Sequence, residues 1–396
     1  MRTYRQLFGV PEFTPLFTTV SLLAAASTVS GVALASLVFS ATHSPLLAAL
    51  SMSGGSFTQV VGAVALLSAA DRLPPRAAET GLAVIAGVGA AVLALPGLPA
   101  WGAFAVLLAL GLTGSVGGGV TYGLLAEILP DEAYVLGRSA LNMSAGTMQI
   151  AGFALGGVLV TGLSPRGTLL VAAALALAAA AVALGGLSSR APRSAGRPSV
   201  RETWRVNRLI WSSAPRRCVY LALWVPNGLI VGCEALFVPY SPAHAGLLLA
   251  VAACGMLAGD VMFGRVVPAR WRPRLSTPLL LVLAAPYLVF AFRPGLLLAV
   301  PAVVLASAGY ASSLVLLERL VELTPDAVQG QSLGLHTSGM LTFQGVGAAL
   351  AGAVAQHTSA ATAIPVMAAG SLAVSLALVP GLRAPAPAAP ALGTAP

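Results

Sequence analysis

Glu234 is the acidic residue best placed to carry chemistry, because it is the only carboxylate well inside an apolar stretch, the segment 218–240. An ionisable group in mid-membrane costs about 2.5–3.5 kcal/mol on insertion scales, so it normally faces a cavity or a partner. A desolvated carboxyl group can hold a proton at physiological pH, which suits proton coupling or substrate binding. Asn227, seven residues earlier, shares its helical face. The alternative is a structural pairing of Glu234 with Arg293 or His43.

Other polar residues within apolar stretches are candidates for lining the same cavity. These residues are Gln59, Tyr122, Asn142, Gln149 and Gln344. Asn142 and Gln149 are two helical turns apart and are therefore expected to share a face. His336 is a further candidate for proton coupling or substrate binding, because imidazole titrates near neutral pH. Its alternative role is a hydrogen bond between helices.

The composition indicates that lipid surrounds the elements that carry these residues. Of the 396 residues, 57% are hydrophobic and 8% are charged, whereas a soluble domain carries about 25% charged residues. Stretches long enough to cross about 30 Å of hydrocarbon recur along the chain. We place twelve of them at 15–40, 45–70, 79–97, 101–126, 139–163, 167–188, 218–240, 244–267, 275–292, 295–320, 331–356 and 360–380. The sequence therefore predicts an all-α integral membrane protein with 12 transmembrane helices.

The basic residues, all of them arginine, predict the orientation of these helices. With both termini in the cytoplasm, 19 arginines fall in cytoplasmic segments, and two, Arg166 and Arg293, fall in outer loops. This asymmetry obeys the positive-inside rule and predicts a multi-pass protein of a bacterial inner membrane with both termini cytoplasmic. Topology thus explains the net charge of +9, and we expect no nucleic-acid partner.

The absence of lysine excludes a P-loop ATPase and a pyridoxal Schiff base, since both need that side chain. The three cysteines have spacings that suit neither a zinc site nor a disulfide framework. We therefore expect no cofactor and no metal.

The chain repeats itself at half its length. The segment 127–131 (Glu-Ile-Leu-Pro-Asp) recurs at 322–326 (Glu-Leu-Thr-Pro-Asp), 195 residues later. Half-length repeats in apolar chains are typical of secondary transporters. The repeat predicts two parallel six-helix halves, 1–188 and 218–382, a basic cytoplasmic linker, 189–217, and a disordered tail, 383–396.

The linker contains an amphipathic segment. Val200, Trp204 and Trp211 fall on one side of it, and its arginines fall on another. We expect this segment to form a helix that lies on the anionic inner leaflet.

Twelve helices in two parallel six-helix repeats, joined by a basic linker, resemble the major facilitator superfamily over nearly the whole chain. Asp71, Arg72 and Arg76 match the characteristic loop motif of that superfamily, although both motif glycines are missing; Asp260 and Arg265 mark the repeated copy. The resemblance implies a charge cluster that latches the inner face of the outward-open state. The residues that could supply it are Asp71, Arg72, Arg76, Glu127, Arg138, Asp260, Arg265, Arg319 and Glu322. The alternative is ordinary interfacial charge.

A second resemblance concerns the direction of transport. Gly152, Gly156 and Gly157 follow the export signature of the superfamily without its proline, and close helix packing is the alternative reason for them. The resemblance favours export. The interiors of the spans carry few fixed charges and no arginine, which suits a hydrophobic or amphipathic small molecule, and Glu234 suits proton coupling. We therefore expect a monomeric secondary active transporter that exports such a molecule in exchange for protons. Uptake or facilitated transport of a neutral solute is the first alternative. A membrane-embedded enzyme or a transport-dead sensor is the second, and we do not expect an enzyme because the acidic residues lie singly or in loop motifs.

Overall fold

The structure, a computed structural model, describes residues 4–53, 73–192, 200–325 and 328–383. Within these ranges it contains helices and no strand, and ten helices are long and apolar enough to cross a membrane. The predicted all-α membrane fold is confirmed. The predicted second span is described only over 45–53, which is helical, so Gln59, Asp71 and Arg72 lie outside the described residues.

The helices follow one another with short connections. In chain order they are α1 (Tyr4–Leu7), α2 (Phe13–Thr42), α3 (45–53), α4 (Pro75–Leu93), α5 (Ala100–Ile128), α6 (Asp131–Gly186), α7 (Val200–Ser212), α8 (Ala214–Ala235), α9 (Phe237–Tyr240), α10 (Ala245–Val266), α11 (Arg272–Ala284), α12 (Leu296–Ala308), α13 (Ser312–Glu322), α14 (Gln329–His357) and α15 (Ala360–Arg383). A 3-10 segment, Ala285–Phe292, extends α11. Between α4 and α5, Gly97 turns the chain with a φ of 79°, which glycine adopts readily.

Helix α6 is long enough to cross the membrane twice. Its 56 residues would extend about 84 Å at 1.5 Å per residue, whereas the hydrocarbon core is about 30 Å thick. The backbone breaks at Ser164 (φ 82°, ψ 160°), immediately before Pro165. The two arms of α6 on either side of this break therefore supply the fifth and sixth predicted spans.

The packing of the helices repeats along the chain. Helix α2 packs along both arms of α6, and α8 packs in the same way against α14 and α15. Likewise, α4 contacts α5 and the second arm of α6, while α11 contacts α12 and α15. Contacts of the early spans thus recur among the later spans, as two six-helix repeats require.

The helices before residue 190 meet those after residue 213 at one end of the bundle. We call this end the remote side, because it lies away from the chain termini, and the opposite end the terminal side. On the remote side Gly157 contacts Gly246, and the Ser44 hydroxyl donates a 2.7 Å hydrogen bond to Gln356 Oε1. On the terminal side the described parts of the two groups form separate hydrophobic clusters. The bundle is therefore closed on the remote side.

The linker segment forms the helix α7, as predicted, but its position differs from the expectation. Trp211 stacks on Tyr220 and Trp224 of α8, with ring centroids 5.9 and 5.7 Å apart. The aromatic surface of α8 thus binds Trp211, which we expected on the lipid leaflet. Arg208 is exposed, whereas the side chains of 200–204 lie outside the described ones.

We expect the substitution Trp211→Ala to lower the free energy of unfolding by about 2 kcal/mol, because it removes two ring stacks and the packing of a partly exposed indole. Trp101→Ala is the control, since Trp101 is 76% exposed. Thermal unfolding in detergent measures both variants. Equal shifts for the two variants would show that α7 gains nothing from docking on α8.

Candidate functional site

A cavity of about 380 Å³ lies between the two groups of helices, and Glu234 is on its wall. Helices α3, α6, α8, α10, α11, α12 and α14 all contribute to its lining. Its polar lining residues are Ser53, Gln149, Asn227, Glu234, Ser307, Tyr310 and Gln344. Glu234 is the one charged residue in the described lining. The structure therefore places a carboxylate in a chamber whose described lining is otherwise uncharged.

Glu234 lies where regular helix ends, one residue before the last residue of α8. The Tyr287 hydroxyl lies close to both the Glu234 carboxylate and the Ser307 hydroxyl. The hydroxyls of Tyr287 and Ser307 and the Asn227 side-chain amide are buried without a well-formed hydrogen bond. Buried polar groups of this kind normally bind water or a ligand. This wall of the cavity can therefore bind a polar or protonated ligand.

The predicted pairing of Glu234 with Arg293 or His43 does not occur in the structure. No ion pair joins Glu234 to either residue within the described ranges, and His43 packs on Phe39 instead. Arg293 ends the extension of α11 in a left-handed conformation.

An aromatic cluster closes the remote side of Glu234. Phe237 stacks on Tyr287 and Phe290 with centroids 6.3 Å apart in each pair, and Tyr240 meets Phe290 edge-on at 5.1 Å. The Tyr240 hydroxyl donates a 3.0 Å hydrogen bond to the Pro294 carbonyl. These rings separate the carboxylate from the remote face of the bundle.

Two amides from the repeat-related helices line the same cavity as Glu234. Gln149 extends from the first arm of α6, and Gln344 from α14. The Tyr310 hydroxyl contacts the Met340 sulfur at 3.7 Å in the same chamber. Of the predicted cavity residues, the structure thus brings together Asn227, Gln149 and Gln344 around Glu234.

Tyr122 and Asn142 form a separate cluster outside the cavity lining. The Tyr122 hydroxyl donates a 2.8 Å hydrogen bond to Asn142 Oδ1, and the Arg138 guanidinium lies 5.0 Å from the Tyr122 ring centroid. Asn142 is therefore absent from the described lining of the Glu234 cavity, and its cavity role stays a prediction. Seven residues separate Asn142 from Gln149 by about 10 Å along the helix axis, so a shared face does not bring them to the same depth.

His336 also lies apart from the cavity. It is buried, its Nδ1 makes no hydrogen bond, and its backbone carbonyl accepts a 3.0 Å hydrogen bond from the Trp224 indole. Trp224 packs among Trp211, Tyr220 and Phe343. His336 therefore belongs to the docking region of α7 rather than to the chamber of Glu234.

The predicted latch residues that the structure describes lie on the terminal side, in differing surroundings. Arg76 is in the first turn of α4, with its Nε buried and without a hydrogen bond. One carboxylate oxygen of Asp260 is likewise buried without a hydrogen bond, while Arg265 is exposed. Arg319 and Glu322 are on α13 and line one cavity at its terminal end.

Glu127 belongs to an ion-pair group that the sequence did not reveal. Arg190 binds Glu12 with two hydrogen bonds of 2.6 and 2.9 Å, and its Nε lies 3.4 Å from Glu127. The Arg190 hydrogen bond holds the pKa of the Glu12 carboxyl below its ordinary value of 4.5, and Ser188 adds to the effect. Glu12 in turn raises the pKa of Arg190. The group ties the start of α2 to the end of α5 and to the linker.

We expect this group to make stability depend on acid. Because folding lowers the pKa of Glu12 from 4.5, the stabilisation is complete above that value and is lost as the pH falls through the lower folded-state pKa. Between pH 6 and pH 3 the native chain should therefore lose about 2 °C more of its unfolding temperature than the Glu12→Gln variant, given the modest energy of partly exposed pairs. Parallel slopes for the two proteins would contradict this assignment.

A second buried carboxylate, Glu79, shows that Glu234 is not the only acidic residue inside a span. Helix α4 begins at Pro75, one turn before Glu79. Because the predicted span begins only at residue 79, Glu79 falls at the edge of that span rather than inside it. Glu79 is 2% exposed and accepts a 2.6 Å hydrogen bond from Thr121. It lines a separate cavity of about 310 Å³ among the early spans. Proline at a first helical position was the available sequence signal.

Comparison with known proteins places this geometry in a fold. A POT family transporter crystallised with a thioalcohol-conjugated peptide superposes with a TM-score of 0.72 and 12% identity, over 96% of this chain and 100% of that one. A bacterial homologue of the human lysosomal transporter Spinster, inward-facing and unoccupied, gives 0.73 and 11% over 94% and 96%. The nucleoside transporter NupG gives 0.73 and 13% over 93% and 100%.

The chain has the fold of the major facilitator superfamily. Matches of this extent to three transporters with the same architecture confirm the fold that the repeat and the loop motifs predict. No protein-family model matches the sequence, and no curated protein matches it. The residues of the cavity, rather than sequence relatives, must therefore indicate what this member of the fold does.

Proposed function

We propose that the protein is a secondary active transporter that works by alternating access and exports a hydrophobic or amphipathic small molecule in exchange for protons. Glu234 carries the proposal, as the one charged group in the described lining of a chamber between two sets of helices. A proton and a cationic substrate would each neutralise this carboxylate, and one excludes the other. Such mutual exclusion couples the movement of the two in opposite directions.

The two segments 1–188 and 218–382 serve as the moving halves in this proposal, and 189–217 links them. Transporters of this architecture bind substrate near the membrane midplane and rock one repeat against the other. With both termini in the cytoplasm of a bacterial cell, the terminal side is the inner side. The remote-side contact of Gly157 with Gly246 then supports an inward-facing state. In the outward-open state the latch residues Asp260, Arg265 and their counterparts would approach one another.

The lining of the chamber indicates the class of substrate. Met52, Phe153, Met256 and Met340 supply apolar and adaptable surface. Its described part has no basic group, which a phosphate or a dipeptide carboxylate would need. The POT transporter and NupG bind peptides and nucleosides, whereas this chamber favours an organic cation or a neutral amphipathic molecule.

Uptake or facilitated passage of a neutral solute is the second candidate, and the amides of Asn227, Gln149 and Gln344 favour it. Amides can recognise hydroxyl and carbonyl groups without any change of charge. In that case Glu234 would position the solute, and transport would not need a proton gradient. An enzyme or a sensor receives no support from a chamber with one carboxylate surrounded by amides and hydroxyls.

The purified protein in sealed proteoliposomes tests the proposal. A pH gradient is imposed, and the movement of lipophilic cations and of neutral drugs and nucleosides is followed in both directions. Export of cations that stops when a protonophore collapses the gradient supports antiport. Equilibration of neutral solutes at the same rate with and without a gradient would replace antiport with facilitated transport.

A further inference from the structure

We propose that the terminal end of α10, α11 and α13 holds a binding site for an anionic phospholipid. The site combines a groove of about 610 Å³ with the basic turn 265–274 that lies beside it. The groove receives the start of an acyl chain, and the arginines of the turn bind the phosphate. This site is separate from the Glu234 chamber and does not depend on the proposed direction of transport.

The walls of the groove are mainly apolar. Phe263 of α10 and the α13 residues Leu314, Leu317 and Val321 form them, together with Arg272, Glu318 and Glu322 at the mouth. The groove opens where three predicted spans end, at the depth at which acyl chains meet headgroups. An apolar slot at this depth is in contact with lipid rather than with water.

Three elements, α10, α11 and α13, meet at the groove. Arg272 starts α11 and is fixed at the mouth of the groove. Its Nη1 donates a 2.7 Å hydrogen bond to Glu318, and its guanidinium lies 5.9 Å from the Phe263 ring centroid. The rim of the groove is therefore ordered before any ligand binds.

The turn between α10 and α11 supplies the excess positive charge. Arg265, Arg270 and Arg274 are exposed, while Arg272 is compensated by Glu318. Against the remaining Glu322, three exposed arginines leave the rim with an excess of positive charge. Basic residues at the membrane surface attract anionic lipid with about 1 kcal/mol each.

Trp271 places the turn at the level of the lipid headgroups. Its indole is 47% exposed, and the Arg274 guanidinium lies 5.4 Å from its ring. Tryptophan is enriched at the level of lipid headgroups because its ring is apolar and its N–H is polar. A soluble anion would use the arginines alone, whereas a lipid also uses the indole and the groove.

Titration of the delipidated full-length protein with phosphatidylglycerol or phosphatidylcholine, followed by native mass spectrometry, tests the site. Arg270→Gln combined with Arg274→Gln should weaken phosphatidylglycerol binding by about 25-fold, since each arginine contributes about fivefold. The control, Arg208→Gln with Arg217→Gln, removes the same charge from exposed positions outside the groove and should leave binding within about twofold. Equal weakening by both pairs, or by neither, would overturn the proposal.

Two further measurements separate a lipid from a soluble anion. Val321→Gln, which keeps the charge and makes the groove polar, should weaken phosphatidylglycerol binding by about fivefold. Glycerol phosphate at millimolar concentration should not displace the lipid. Displacement by glycerol phosphate, together with native binding by the Val321→Gln protein, would assign the arginines to a soluble anion and overturn the lipid site.

Discussion

Glu234→Gln is expected to reduce proton-driven export at least 100-fold while leaving the protein folded. The amide has nearly the shape of the carboxyl group but cannot release a proton or attract a cation. The chamber offers no second carboxylate in its described lining that could take over. Initial rates under a fixed pH gradient in proteoliposomes measure the loss, with thermal unfolding as the test of folding.

Three comparisons make the Glu234 result specific. Glu234→Asp retains the carboxylate and should recover a substantial part of the export rate. Glu12→Gln removes a partly exposed carboxylate from an ion pair outside the chamber and should remain within about twofold of the native rate. Downhill movement of a neutral substrate should persist in Glu234→Gln. If Glu234→Gln exports as fast as the native protein, Glu234 is structural, and Asp260, Glu79 and His336 become the carriers to examine.

The sequence predicts the fold and the centre of the cavity for physical reasons that can be named. The length of an apolar stretch and the positions of arginines can be read directly from the sequence. In a lipid bilayer the first determines which segments span the membrane, and the second determines their orientation. The seven-residue spacing of Asn227 and Glu234 predicts a shared face, and both residues line the chamber. Gln149 and Gln344 were found by the same logic, as polar side chains in apolar helices.

Residues that reach the site through distant contacts escaped prediction. Tyr287 approaches Glu234, and Ser307 approaches Tyr287, from positions more than 50 residues further along the chain than Glu234. A single hydroxyl in an apolar stretch leaves no periodic pattern, so only the packed structure shows its neighbour. Arg190 is a similar case, because membrane topology alone explains an arginine in a basic linker. Its binding of Glu12 depends on how α2 meets the end of α6.

The close approach of Gly157 and Gly246 predicts the second large effect. A Cβ atom added to Gly157 would lie 2.7 Å from the Gly246 Cα, where real Cβ atoms are not found. We expect Gly157→Val to force α6 and α10 apart on the remote side, at a cost of about 1–3 kcal/mol to the closed arrangement. That cost shifts the conformational equilibrium by about 5- to 150-fold, and export should fall at least tenfold because the inward-facing state becomes scarce.

Gly162→Val is the matched control, because it places the same side chain on the same arm of α6 with no atom within 4 Å. Spin labels at positions 163 and 243, both exposed on the remote side, report the distance between the two groups of helices after Cys218 and Cys254 are replaced by alanine. The distance distribution should move to longer values in Gly157→Val and stay native in Gly162→Val. Both variants introduce the same β-branched residue with the same helix propensity. A difference between their distance distributions therefore shows that the contact of Gly157 with Gly246 closes the remote side. Native distances together with native export in Gly157→Val would mean that closure depends on the aromatic cluster around Tyr287 instead.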